Sequence, residues 1–272
     1  MGLKSEWVRY GSQSGYFAMP EMAALPLPSV IVIQEIWGVE SHIEDVTNRI
    51  AAAGYAALAP DLYAQNGERV SALTKKRIIE FQEFMMTLPP TAWRDQAARE
   101  EALAKLPAAE RGRVSETFSS LFGMSPEQRE SYVTPLRDAV RYLRHERAET
   151  SEQPTACVGF CMGGGLSALL ACEEPELAGA AVFYGNTPDP EKVAKIRCPV
   201  LAFYGATDAR VNAGIPAFEQ GMQKIGGDFQ HQVYEGAGHS FFNDQRNTYN
   251  VRAARDSFAR LLAFLARVST GS

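Results

Sequence analysis

The 272-residue chain has only four cysteines and four histidines. Cys157, Cys161, Cys172 and Cys198 form no C-x-x-C pair and have no neighbouring pair of histidines. That spacing argues against a zinc site, and so few cysteines in a chain this long read as reduced thiols. Long apolar runs are missing as well. Nothing approaches the roughly 18 residues of a membrane span, and the opening M-G-L-K-S-E-W has no signal-peptide core. Glu6 stands where a myristoylation signal requires Ser or Thr. Basic blocks are equally scarce. The densest, K-K-R at 75–77, fits a solvated helix face, and a net charge of −5 disfavours a polyanion partner. These absences lead to the expectation of a soluble, cytoplasmic protein with no nucleic-acid or membrane partner. They leave oligomeric state open.

What is present is the composition of a globular core, 46% hydrophobic and 22% charged. Apolar runs bounded by turn residues alternate with amphipathic stretches, the pattern of a mostly parallel sheet covered by helices. Strands are expected at 29–34, 55–59, 155–160, 179–184, 199–204 and 229–234. Most are continuously apolar, as strands buried on both faces are. Helices are expected at about 41–53, 126–147, 163–173, 212–225 and 247–268, and an edge hairpin near the start. Residues 67–125 break the rhythm: they carry helical patterns and no convincing strand. They read as a helical insertion, either a cap beside the site or an extra layer without catalytic role. No repeat or low-complexity linker divides the chain, so a single domain over 1–272 is expected.

Chemistry enters at T-A-C-V-G-F-C-M-G-G-G-L-S-A-L-L, which runs from an apolar strand through glycines into a helix. This is the setting of the G-x-nucleophile-x-G elbow, with Cys161 where serine is usual. Gly159 and Gly163 leave room for the close backbones of a tight turn. The helix N-terminus that follows favours a thiolate and a developing oxyanion, and the Met162 N–H is the natural first oxyanion donor. Cys157 lies mid-strand and reads as inert core. Among the histidines, His42 opens a helix, His145 lies on a polar helix and His231 sits inside a strand. His239 follows the last strand in a glycine-bearing loop, where such sheets place functional groups, and is the candidate base. The acid should fall between nucleophile and base. Asp208, in F-Y-G-A-T-D, meets that demand; Asp189 is its rival, in what reads as a helix-starting turn.

With these residues in place, the chain resembles the dienelactone hydrolase (carboxymethylenebutenolidase) family of the α/β-hydrolase superfamily. The resemblance rests on Q-E-I-W-G-V (34–39), G-Y-A-A-L-A-P-D-L-Y (54–63), G-F-C-M-G-G (159–164), G-A-T-D (205–208) and G-A-G-H-S-F (236–241). It covers nearly the whole chain except about 67–125. It implies an α/β-hydrolase fold, a Cys161–His239–Asp208 triad and no metal or organic cofactor. It also implies that Glu35 contacts the resting cysteine and is displaced by substrate. Glu35 ends an apolar run, where a carboxylate is costly without a partner. The Ile36 N–H is implied as second oxyanion donor, with Trp37 and Tyr184 lining the pocket.

Two family arginines grip a substrate carboxylate, one of them four residues after the histidine. Here that position is Asn243, and Arg113 or Arg111 is the candidate for the other. Losing a bidentate arginine removes about 1.5–3 kcal/mol of contact, so preference for an anionic dienelactone is left open. Hydrolysis of a small-molecule ester or lactone through a thioester is the expected reaction. The alternatives are a general carboxylesterase or thioesterase of the same fold, and a non-catalytic ligand-binding relative.

Overall fold

The structure is a computed structural model that describes residues 2–88 and 95–270. The chain opens with a hairpin, β1 (Leu3–Tyr10) and β2 (Gln13–Pro20), paired antiparallel. β3 (Ser29–Ile33), β4 (Ala56–Pro60), β7 (Thr155–Phe160), β8 (Gly179–Phe183), β9 (Val200–Gly205) and β10 (Phe229–Tyr234) follow. Between β4 and β7 lies a two-stranded ribbon, β5 (Ala64–Gln65) and β6 (Glu68–Arg69). The main sheet has eight strands in the order β1-β2-β4-β3-β7-β8-β9-β10. β2 joins β4 antiparallel, and every pairing from β4 to β10 is parallel.

Period-two geometry assigns the strand side chains to two layers. Ile31 and Ile33 of β3 join one core with Leu166, Leu170, Phe218 and Met222. Those partners come from α7 (Met162–Glu173) and α10 (Ile215–Lys224). Val30 and Val32 point the other way, into a second core with Ile43, Val46 and Leu265. That layer is built on α1 (Ser41–Ala52) and α11 (Val251–Ser269). Each fully buried aliphatic side chain contributes roughly 1.5–3 kcal/mol, so helices on both faces follow from apolar residues at both parities of each strand.

The expected insertion holds α2 (Lys75–Met86), α3 (Gln96–Ala104) and α4 (Ala108–Phe122); residues 89–94 of it lie outside the described residues. It differs from expectation at its start, where β5 and β6 pair. Asn66 and Gly67 both have positive φ, 53° and 82°. That is the backbone of the two-residue turn that Asn-Gly favours, a signal present in the sequence. A second difference lies in 126–147, expected as one helix. It is α5 (Pro126–Glu130), α6 (Val133–Arg141) and one π turn, Tyr142–Glu146. Ser125 caps α5 in a capping box with Gln128. Pro135 then cannot donate to the carbonyl four residues back, so the helix restarts after Ser131 rather than running through. The helix expected at 212–225 is α10, opened by Pro216 and preceded by a separate short helix, α9 (Ala209–Asn212). One further short helix, α8 (Pro190–Val193), precedes β9. Among the described residues no helix is long and apolar enough to cross a membrane.

Candidate active site

The parallel strands end on one edge of the sheet, and the site is built from the loops beyond five of them, β3, β7, β8, β9 and β10. β7 stops at Phe160 and α7 begins at Met162, leaving Cys161 alone in the turn with φ 56° and ψ −115°. A non-glycine residue there carries backbone strain, held by the structure around it. What holds it is close packing. A Cβ on Gly159 would meet the Gly163 carbonyl oxygen at 1.9 Å, and one on Gly163 would meet the Ile33 oxygen at 2.3 Å. The Cys161 N–H donates to the Phe183 carbonyl at 3.0 Å, which ties the turn to β8. Met162, first residue of α7, has its N–H ahead of the first intrahelical bond.

His239 and Asp208 come from the loops after β10 and β9, and the two loops are stitched together. Ala206 N–H donates to the Tyr234 carbonyl, and both the N–H and hydroxyl of Thr207 donate to Ala237. The result is a continuous line. The Cys161 Sγ lies 3.1 Å from His239 Nε2, and Nδ1 of the same ring lies 2.5 Å from Asp208 Oδ2. Because a carboxylate can only accept, Nδ1 carries the proton and Nε2 faces the sulfur. Burial alone would lower the His239 pKa, but the bonds to Asp208 and Cys161 outweigh it and raise it to about 10. Asp189 is placed at the N-terminus of α8, on the cleft wall.

The other three cysteines behave as core. Cys157, Cys172 and Cys198 are buried, and burial pushes each thiol up to about 12.

Glu35 lies below this line, 1% exposed. Its Oε1 accepts from the Tyr184 hydroxyl at 3.3 Å and its Oε2 from the Asn243 amide at 2.9 Å. Burial raises its pKa, opposed in part by the Asn243 bond. The contact with the resting cysteine that the family resemblance implies is not what the structure shows: here Cys161 bonds to His239, and Glu35 to two neutral partners.

The cleft above Cys161 has a volume of about 650 Å³. Ile36, Trp37, Met162, Tyr184 and His239 all line it, together with Phe122 at the end of α4. Three of the five described non-glycine residues with positive φ sit here: Cys161, Tyr184 and Ser240. Two residues expected at the substrate are placed elsewhere. Asn243 is fully buried beneath Glu35, because its short amide is satisfied by that carboxylate. Arg113 lies on α4 and pairs with Glu80 of α2, and Arg111 caps nearby carbonyls of Ala104 and Leu106. The cations that do line the cleft are Arg129 and Arg210. Arg129 Nε is buried without a hydrogen-bond partner among the described residues. Arg210, two positions after Asp208, could have been found from that spacing; Arg129 lies on a short helix whose sequence carries no such signal.

A sheet of this topology, with Cys161, Asp208 and His239 in that chain order beyond its strand ends, has the architecture of an α/β hydrolase. The sequence profile of the dienelactone hydrolase family matches residues 14–269. A carboxymethylenebutenolidase-type protein of Saccharolobus solfataricus is 34% identical over 255 residues, covering 93% of each chain. The solved structure of a dienelactone hydrolase-type protein from Klebsiella pneumoniae superposes with a TM-score of 0.69 at 26% identity, covering 98% of this chain and 99% of that one. A dienelactone hydrolase-like promiscuous phosphotriesterase from metagenomic libraries shares the fold, with a TM-score of 0.70 at 20% identity and 98% of both chains covered. The chain belongs to the dienelactone hydrolase family and is a hydrolase.

Proposed function

We propose that the protein hydrolyses a small-molecule ester or lactone by acyl transfer through a thioester on Cys161. The observation that carries this is the Sγ–Nε2 and Nδ1–Oδ2 line at 3.1 and 2.5 Å, opening into the cleft at the start of α7. Proton transfer from Cys161 to His239 leaves a thiolate beside an imidazolium, and the sulfur adds to the substrate carbonyl carbon. The carbonyl oxygen becomes an oxyanion, received by the Met162 and Ile36 N–H groups. As the tetrahedral species collapses, the ester C–O bond breaks and His239 returns the proton to the leaving oxygen. Water, deprotonated by the same imidazole, then cleaves the thioester and releases the acid. Asp208 holds the ring in the required tautomer and stabilises its charged form. In a lactone the leaving oxygen stays tethered until hydrolysis frees the hydroxy acid.

Trp37, Tyr184 and Phe122 offer an apolar wall for the acyl or alkyl body, while Arg129 and Arg210 offer charge-assisted contacts to a carboxylate. We also take the chain as one catalytic unit, because the insertion contributes Phe122 to the cleft.

The test is hydrolysis of small aryl esters, neutral lactones and a dienelactone, read beside alkylation by iodoacetamide. Label is expected at Cys161, while Cys157, Cys172 and Cys198 stay unmodified in the folded protein. Cys161→Ala should lose about a thousand-fold or more in kcat; full retention of turnover would refute the mechanism. A preference for neutral aryl esters or thioesters over dienelactone would make the protein a general carboxylesterase or thioesterase. A folded protein with an unreactive Cys161 and no turnover would point instead to a ligand-binding relative.

A further inference from the structure

We propose that Tyr63, braced by the Arg69–Asp61 pair, is a positioning residue that holds the oxyanion-binding turn after β3 in its working conformation. This rests on the reading above that the Ile36 N–H receives the oxyanion.

The turn is Glu35–Ile36–Trp37–Gly38, closed by the Gly38 N–H donating to the Glu35 carbonyl at 3.1 Å. Across a trans peptide the N–H points opposite to the C=O. Anchoring the Glu35 carbonyl toward Gly38 therefore aims the Ile36 N–H away from the turn. The next peptide is fixed independently: the Tyr63 hydroxyl donates to the Ile36 carbonyl at 2.6 Å. Both peptides flanking Ile36 are thus pinned, one from inside the turn and one from Tyr63.

Tyr63 is built for this. It is 3% exposed, and burial holds its pKa well above the ordinary value, so it stays a donor. Its own N–H donates to Asp61 Oδ1 at 3.1 Å. The other oxygen of Asp61 accepts from Arg69 Nε at 2.6 Å, with both side chains nearly buried. Arg69 then spreads its remaining donors over two carbonyls, Val39 at 3.3 Å and Leu73 at 3.4 Å. Gly38, with φ 82°, lies directly against both residues. A Cβ there would meet the Arg69 guanidinium at 3.0 Å and the Tyr63 ring at 3.2 Å.

The brace also gives the insertion a mechanical role. Arg69 ends the β5–β6 ribbon and Leu73 opens the way to α2. The insertion's core of Ile78, Phe81, Val114 and Leu121 includes Tyr63, and Ile36, Trp37 and Met162 pack against it. The side chains of both oxyanion donors therefore rest on the insertion.

The experiment compares acylation with alkylation in Tyr63→Phe, which removes one hydroxyl and keeps the ring. With p-nitrophenyl acetate, kcat is expected to fall about 10–100-fold with KM changed by less than about two-fold, since an interaction made in the transition state is lost. Alkylation of Cys161 by iodoacetamide uses no oxyanion hole, so its rate and pH profile should match wild type. Arg69→Lys keeps the charge opposite Asp61 but cannot reach both carbonyls, and should show the same split at about 3–10-fold. It carries the test should Tyr63→Phe fail to fold. A kcat within about two-fold of wild type in either folded variant overturns the proposal, and so does an equal loss of alkylation and acylation. These outcomes are separate from the parent reading. That reading falls if Cys161→Ala keeps turnover; this one alone falls if Cys161→Ala is inactive while Tyr63→Phe is normal.

Discussion

Every residue of β3, β4, β7, β8 and β9 is buried, whereas α3 in the insertion buries none of its nine. The two regions share one cleft and contribute differently to it. The sheet edge supplies Cys161, Asp208, His239 and Glu35; β3, β7 and β9, which precede three of them, are paired on both sides, while β10, which precedes His239, is the edge strand. The insertion supplies a wall, Phe122, and the packing beneath Ile36 and Met162. Groups that must hold sub-ångström geometry sit where local opening requires global unfolding. Groups that shape access sit where fewer contacts resist opening.

The largest effect should come from filling the tightest point of the sheet edge. In Gly159→Ala the new methyl would lie 1.9 Å from one backbone atom and 2.3 Å from another, both of Gly163. Neither is a flexible side-chain end, so β7 and α7 must separate. Strain of this kind exceeds the usual 1–3 kcal/mol of overpacking, and about 4 kcal/mol or more is expected. Chemical denaturation would show a large drop in midpoint, or little folded protein at all. Near-wild-type stability would mean that the elbow has slack, and the contrast with the insertion would weaken.

The same contrast decides what the sequence made legible. Five of the six expected strands were readable because each is apolar at both parities, as in a doubly covered sheet, and β10, F-Q-H-Q-V-Y, was readable from its alternation. Cys161, Asp208 and His239 were readable because chain order and strand-end position constrain each other. Asn243 and Arg113 were legible only as identities, since where a side chain points is a tertiary outcome. Asn243 turned inward because the buried Glu35 carboxylate needs a donor; Arg113 found Glu80 across two surface helices. The break at Pro135 and the Asn66–Gly67 turn were written locally, but each is a short signal beside a longer periodic pattern. Arg129 reaches the cleft through the packing of α5, which no local pattern encodes.

A smaller effect should separate the two regions directly. Phe81 is 1% exposed in the insertion core, and Phe81→Ala should cost about 3 kcal/mol through lost burial and an unfilled cavity. The loss should be local. Hydrogen exchange is expected to speed up in α2 and α4 while amides of β3, β7 and β8 keep their protection. Uniform acceleration across the sheet would show that insertion and sheet unfold as one unit.

The smallest effect concerns the far face, where α1 meets the loop after His239. His42 is fully buried between Phe160 and Phe242, with Nδ1 3.8 Å from Asp244 Oδ1. Burial pushes its pKa down to about 4; Asp244 opposes that shift, and Arg49 and Arg246 reinforce it. The unfolded chain binds a proton near pH 6.5 that the folded chain refuses until about pH 4. Between these values the unfolded state holds more protons, so stability rises with pH and is lost on acidification from about 6.5 toward 4. The full window corresponds to roughly 3 kcal/mol, of which about 2 falls between pH 7 and 4.5. Denaturation midpoints at pH 7 and 4.5 would read it. His42→Phe, which keeps an aromatic ring but cannot titrate, should flatten the difference by about 2 kcal/mol. If wild type and variant lose stability in parallel, the acid sensitivity belongs to other groups and not to the helix that anchors this side of the sheet.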